Sequence, residues 1–176
     1  MSFRTICASC SVALGLLFFP SPAFSEVETS SKYKVLSSEK SGLNLSTINT
    51  FLDQAQVAIN NGDLDEATKK FKKARTVSNL LLGYYRDLNG AFRGLDALIP
   101  REMSKKNREV VQLLAKANLQ LAALHRKKGE PELAVPLLVE VVKILTPANP
   151  QGSKAYQALV ELGFVETPYR GGRQSP

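Results

Sequence analysis

The chain has 176 residues, 23 of them Lys or Arg and 16 Asp or Glu, for a net charge of +7. One histidine and two cysteines are too few for an imidazole or thiolate metal centre unless carboxylates cluster with them, and no such cluster stands out. The basic balance suits an anionic partner, but the first 25 residues argue against nucleic acid, because they direct export.

Residues 1–25 read as a signal peptide. Arg4 supplies the positive start, and Ile6 to Phe19 form an apolar stretch too short for a comfortable membrane span. Pro20 and Pro22 break it, and Ala23-Phe24-Ser25 sets small residues before a cleavage point after Ser25. The alternative is an uncleaved membrane anchor. Cys7 and Cys10 both fall in this segment, so the exported chain would carry no disulfide. About 150 residues would remain, enough for one domain. Residues 26–44, rich in Ser, Lys and Glu, read as a flexible linker.

An all-α domain is expected over residues 45–164. The first helix is predicted from Thr47 to Asn61, with Ser46 as N-cap and Ile48, Phe51, Leu52, Ala55, Ala58 and Ile59 as its apolar stripe. Gly62 suits the left-handed position after it. Asp63 then caps the next helix, with Glu66 completing a capping box. From there a seam runs through Ala67, Phe71, Ala74, Ser78, Leu81, Tyr85, Leu88, Phe92, Leu95 and Ile99, alternating steps of four and three. It predicts one long central helix of about 35 residues and roughly 50 Å, ended by Pro100.

Gly83, Gly90 and Gly94 interrupt this run. Either they are tolerated weak points or a break, each costing about 1 kcal/mol against Ala, or a backbone or ligand approaches that face. Arg86, Asp87, Arg93 and Asp96 surround them. These residues form either a polar binding strip or weak ion pairs such as Arg93 with Asp96.

Residues 99–104 are predicted as a corner, and Lys105 to Lys128 as the third helix, with Val110, Leu114, Ala117, Leu121 and Leu124 as its seam. Gly129-Glu130-Pro131 makes a turn. The fourth helix, to about Leu145, is apolar nearly all round and is expected to be the most buried. Ser153 to Gly163 is predicted as a fifth, capping helix. The tail 165–176 is expected to be disordered.

Ala55, Gly62, Ala67, Phe71 and Ala74, and again Ala122, Gly129, Ala134 and Leu138, sit where a tetratricopeptide repeat places its small, turn and packing residues. The chain resembles that superfamily, in particular its small exported bacterial members, cyanobacterial ones included. Gly62 to Gly129 and Ala67 to Ala134 each span about two repeats of roughly 34 residues. The resemblance implies antiparallel helix hairpins, about five helices with one long central helix. It departs at Asn79, where the family has Pro and ends its helix. The family's carboxylate clamp also lacks its residues here, since Leu52, Gln56 and Gln120 replace them, although Lys116 fits one position.

No phosphate-binding glycine loop or serine nucleophile motif occurs. His125, alone on a helix face, reads as a structural histidine. The expected function is therefore non-catalytic: a scaffold or assembly factor in the periplasm or a thylakoid lumen, or secreted. It would bind another exported or membrane protein, with no cofactor, metal or small-molecule substrate. The resemblance implies contacts on the concave side at Gln56, Ile59, Lys116 and Ala123, and the glycines motivate a second set at Arg86, Asp87 and Arg93. The basic runs Lys69–Arg75, Arg101–Arg108 and Arg126–Lys128 are either solvated faces or a surface attracting an anionic membrane or cell-wall polymer.

Overall fold

A computed structural model describes residues 42–171. The segment expected to be a signal peptide, most of the expected linker, both cysteines and residues 172–176 lie outside the described residues. Five helices follow one another: α1 (Leu45–Asn60), α2 (Leu64–Ala91), α3 (Leu98–Lys127), α4 (Pro131–Leu145) and α5 (Pro150–Glu161). Each packs antiparallel on the next, and α3 also touches α1 and α5.

Local chemistry sets the boundaries. Asn44, not Ser46, caps α1; its side-chain oxygen accepts from Thr47 N–H at 2.8 Å, and the Ser46 hydroxyl donates to the same oxygen. Asp63 caps α2 by accepting from Glu66 N–H at 2.9 Å. Glu66 pairs instead with Lys69 and Lys70. After α1, Gly62 N–H donates to the Ile59 carbonyl and Asp63 N–H to that of Ala58, with Gly62 at φ 80°. The same double closure recurs after α3 at Gly129 and after α5 at Gly163.

The core is built from small residues that let helix backbones approach, with large ones filling between. Ala55, Ala67, Phe71 and Ala74 are fully buried where α1 meets α2, and Ala117, Ala122, Ala134 and Val141 where α3 meets α4. Two polar arrangements lie within it. Asn118, fully buried, donates to Glu140 at 3.0 Å, and Arg75 donates to the same carboxylate oxygen at 2.8 Å, tying α2, α3 and α4 together. His125 Nδ1 lies 2.7 Å from Glu130 Oε2 across the Gly129 turn, a structural role.

Four expectations change. The central helix is not continuous: α2 ends at Ala91, Gly94 takes φ 85°, and α3 starts at Leu98. The Asp96 carboxylate starts it, accepting from Leu98 N–H at 2.6 Å and Ile99 N–H at 2.9 Å. Pro100 lies inside the first turn of α3, where the missing N–H has no intrahelical partner to lose, so residues 99–104 are helical. The fourth helix is not the most buried, because Leu133 and Val139 face solvent at 47% and 42% exposure. That place belongs to the C-terminal half of α3, which has neighbours on several sides. Finally, residues 165–171 of the tail lie against α5: the Tyr156 hydroxyl donates to the Thr167 carbonyl at 2.8 Å, and Tyr156 meets Tyr169 edge-on.

Candidate functional site

Helix lengths create the site. α2 has 28 residues and α3 has 30, about 42 and 45 Å. Their outer neighbours α1 and α4 have only 16 and 15, about 24 and 22 Å. A neighbour half as long covers half a helix. Between Leu82 and Val110 the one buried side chain is Met103, and it stands apart from the main core. The C-terminal third of α2 and the start of α3 thus form a two-helix hairpin that no third helix among the described residues covers.

The predicted seam shows the same limit. Ala67, Phe71, Ala74, Ser78 and Leu81 are buried, Tyr85 is half-buried, and then Leu88 is 44% and Leu95 81% exposed. The spacing persists past the point where there is a helix to pack on.

A cavity of about 490 Å³ opens between the two arms. Some of its lining holds the hairpin together. Asn89 Nδ2 donates at 2.8 Å both to the Pro100 carbonyl and to the Ser104 hydroxyl. The Lys106 ammonium lies 5.9 Å from the centre of the Tyr85 ring and pairs with Glu102 at 2.6 Å. The rest has no structural duty: Arg86 and Arg93 from α2 and the turn after it, and Arg108 from α3, all line the cavity. None of their side chains hydrogen-bonds or pairs with another described residue, and no Asp or Glu lines the cavity. The expected Arg93–Asp96 pair does not form, because Asp96 is engaged at the start of α3.

A second, mostly apolar recess of about 430 Å³ at the hairpin tip shares Arg93 and is lined by Leu95, Asp96, Ala97 and Pro100. Leu95 and Leu98, at 81% and 72%, are the most exposed large apolar side chains among the described residues.

Several basic residues elsewhere are paired. Arg75 pairs with Glu140, Arg126 with Glu161 at 3.2 Å, and Lys128 with Asp65 at 2.7 Å. The hydrogen bond from Lys128 holds the Asp65 carboxyl below its ordinary value of 3.8, and Asp65 in turn raises Lys128 above 10.5. Within the basic runs Arg75, Arg126 and Lys128 are paired across the fold, whereas Arg108, in the cavity, has no such partner among the described residues.

Of the predicted contact residues, Arg86 and Arg93 come together in the cavity, while Asp87 is exposed beside Arg86 and does not line it. Gly83 and Gly90 have no described residue within 4 Å of where a Cβ would stand, so among the described residues nothing approaches that face closely. Gln56 is exposed and donates to Asn60 at 3.2 Å, and Ile59 is half-buried against the core. Lys116 and Ala123 are exposed on α3, which touches α1. Sequence reading missed Asn89 and Asn107 as cavity residues; only the folding back of α3 on α2 brings their two positions together.

Among the described residues no group of His, Cys, Asp and Glu gathers as a metal site, and no helix is long and apolar enough to cross a membrane. Compared with protein-family models, curated proteins and solved structures, the chain matches none.

Proposed function

We propose that this chain is a non-catalytic protein–protein interaction module of tetratricopeptide-like type, a scaffold or assembly factor working outside the cytoplasm. The observation that carries the reading is the hairpin of α2 and α3, which extends beyond the core with bare arginines and exposed leucines. Such a projection adds little to the stability of the domain, and it is shaped to be covered by something else. The repeat character is supported by the recurrent glycine closure after α1, α3 and α5. Gly129 and Gly163 stand about one repeat of roughly 34 residues apart, which makes α5 the opening helix of a further unit. The partner would be another exported or membrane protein, meeting the hairpin at Arg86, Asp87 and Arg93 and the α1–α3 face at Gln56, Ile59, Lys116 and Ala123.

Photo-crosslinking in the native cell tests this reading. A photoreactive residue in place of Leu88 or Leu95 should give one discrete adduct, while one in place of Leu133 on α4 should give none. Adducts that are absent from the hairpin, or indifferent to position, overturn it. A second reading, electrostatic attachment to an anionic membrane or cell-wall surface, is favoured by the net charge of +7. It predicts vesicle co-sedimentation that falls steeply with salt and does not depend on Arg86 in particular.

A further inference from the structure

We infer that the cavity between α2 and α3 recognises carboxylates on an acidic segment of the partner protein. Arg86, Arg93 and Arg108 would take the carboxylates, and the leucine-bearing tip an apolar side chain next to them. This rests on the interaction-module reading and names the chemistry of the partner.

The argument starts from what the arginines do not do. Three cations line one recess, and among the described residues none of them has a counter-charge. None of the three holds the fold together through a described hydrogen bond or ion pair, so an anion placed among them meets cations that no described group neutralises. Guanidinium is the side chain suited to planar, bidentate capture of carboxylate. All three are arginines, although lysines are plentiful on the rest of the surface.

The size of the recess and its setting choose among anions. At about 490 Å³ it is far larger than one small ion and falls within the range of roughly 300–1,000 Å³ found for ligand pockets. Its charges come from two helices, so the occupant should spread its own charge over several groups, as the side chains of an acidic segment do. Arg93 is shared with the apolar recess at the tip, which places an apolar contact directly beside the charged one. A membrane surface fits less well. The arginines line a concavity rather than a protruding rim, and a flat anionic surface cannot enter it as a single extended segment can.

The test uses the full chain and a fluorescein-labelled peptide of alternating glutamate and leucine, with its glutamine twin as control. Saturable binding of the glutamate peptide is expected, with shifts of the Arg86, Arg93 and Arg108 Nε–H resonances. Each of Arg86→Gln, Arg93→Gln and Arg108→Gln should weaken binding about tenfold or more, the worth of one charge-assisted hydrogen bond. Lys72→Gln removes the same charge elsewhere on α2 and should leave affinity unchanged. All four variants should melt like the parent. Equal binding of the glutamine twin overturns the proposal, as does an equal loss from Lys72→Gln. So does preferential binding of inorganic phosphate or of phosphatidylserine vesicles. If the peptide fails while the hairpin still crosslinks in cells, the carboxylate chemistry falls and the interaction module stands. If the peptide binds but the hairpin crosslinks nothing, the module reading falls.

Discussion

Glycine-to-alanine substitutions at two helical positions should change stability in opposite directions. Gly83 lies in α2 with nothing within 4 Å of a built Cβ. Alanine there gains helix propensity and costs no contact, a stabilisation of about 0.4–1 kcal/mol. For a domain of about 120 residues, unfolding entropy near 2.1 cal/mol/K per residue makes 1 kcal/mol worth roughly 4 °C, so Gly83→Ala should raise Tm by about 2–4 °C. Gly152, in the first turn of α5, is buried, and a Cβ there would stand 1.9 Å from the Thr146 carbonyl oxygen. That oxygen is backbone, accepts from Asn149 N–H at 3.2 Å, and belongs to a residue already at φ 56°. It cannot swing aside without undoing the turn between α4 and α5. Moving α5 instead would draw Ala155 and Leu159, 0% and 3% exposed, off the core. Overpacking of this kind costs about 1–3 kcal/mol, a fall of roughly 4–12 °C. Calorimetry or thermal circular dichroism reads both. A Gly83→Ala variant that melts lower would mean that something packs on that face after all, and an unchanged Gly152→Ala would refute the close approach.

Other consequences can be checked in the same way. Phe71→Ala empties a fully buried ring site between α1 and α2 and should cost about 3–5 kcal/mol in urea unfolding; under 1 kcal/mol would show that the site is not close-packed. Glu140→Ala leaves Arg75 and the buried Asn118 amide without their shared acceptor and should cost about 1–3 kcal/mol. A double-mutant cycle with Asn118→Ala should then show coupling, and strict additivity would rule out the shared hydrogen bonds. Amide exchange should be fastest in the hairpin, at 83–91 and 98–109, and slowest at 114–122, since only the latter has neighbours on several sides. Uniform protection would contradict the uncovered hairpin.

The pair Asp65–Lys128 gives a pH prediction. Asp65 titrates below its ordinary 3.8 and Lys128 above its ordinary 10.5. The contribution of the pair is therefore complete between those values. It is lost as pH falls through the lowered carboxyl pKa or rises through the raised ammonium pKa. Stability of Lys128→Gln should parallel that of the parent across neutral pH and converge with it only in acid, where Asp65 is protonated, or in strong alkali, where Lys128 is neutral. Convergence near neutrality would contradict the assignment.

Helix content, the turn glycines and the identity of the core were legible from local pattern. Alternation of three and four marks a face that wants burial, Gly after a run marks a left-handed closure, and small residues mark close approach. All of these act between residues near in sequence, and Ala55, Gly62, Ala67, Phe71 and Gly129 are placed accordingly. Whether a face finds a neighbour is decided by elements far along the chain. The same spacing buries Leu81 and exposes Leu88, because α1 is too short to follow α2 to its end. Asp96, which looked like a partner for Arg93, turns instead to the first amides of α3 and reverses the chain. That reversal assembles the cavity, since it brings Arg108 back to Arg86 and Arg93, while Asp96 is engaged at the start of α3 and no described Asp or Glu lines the space. Periodicity fixes which way a side chain points along its own helix; only the folding of one helix against another determines what it meets.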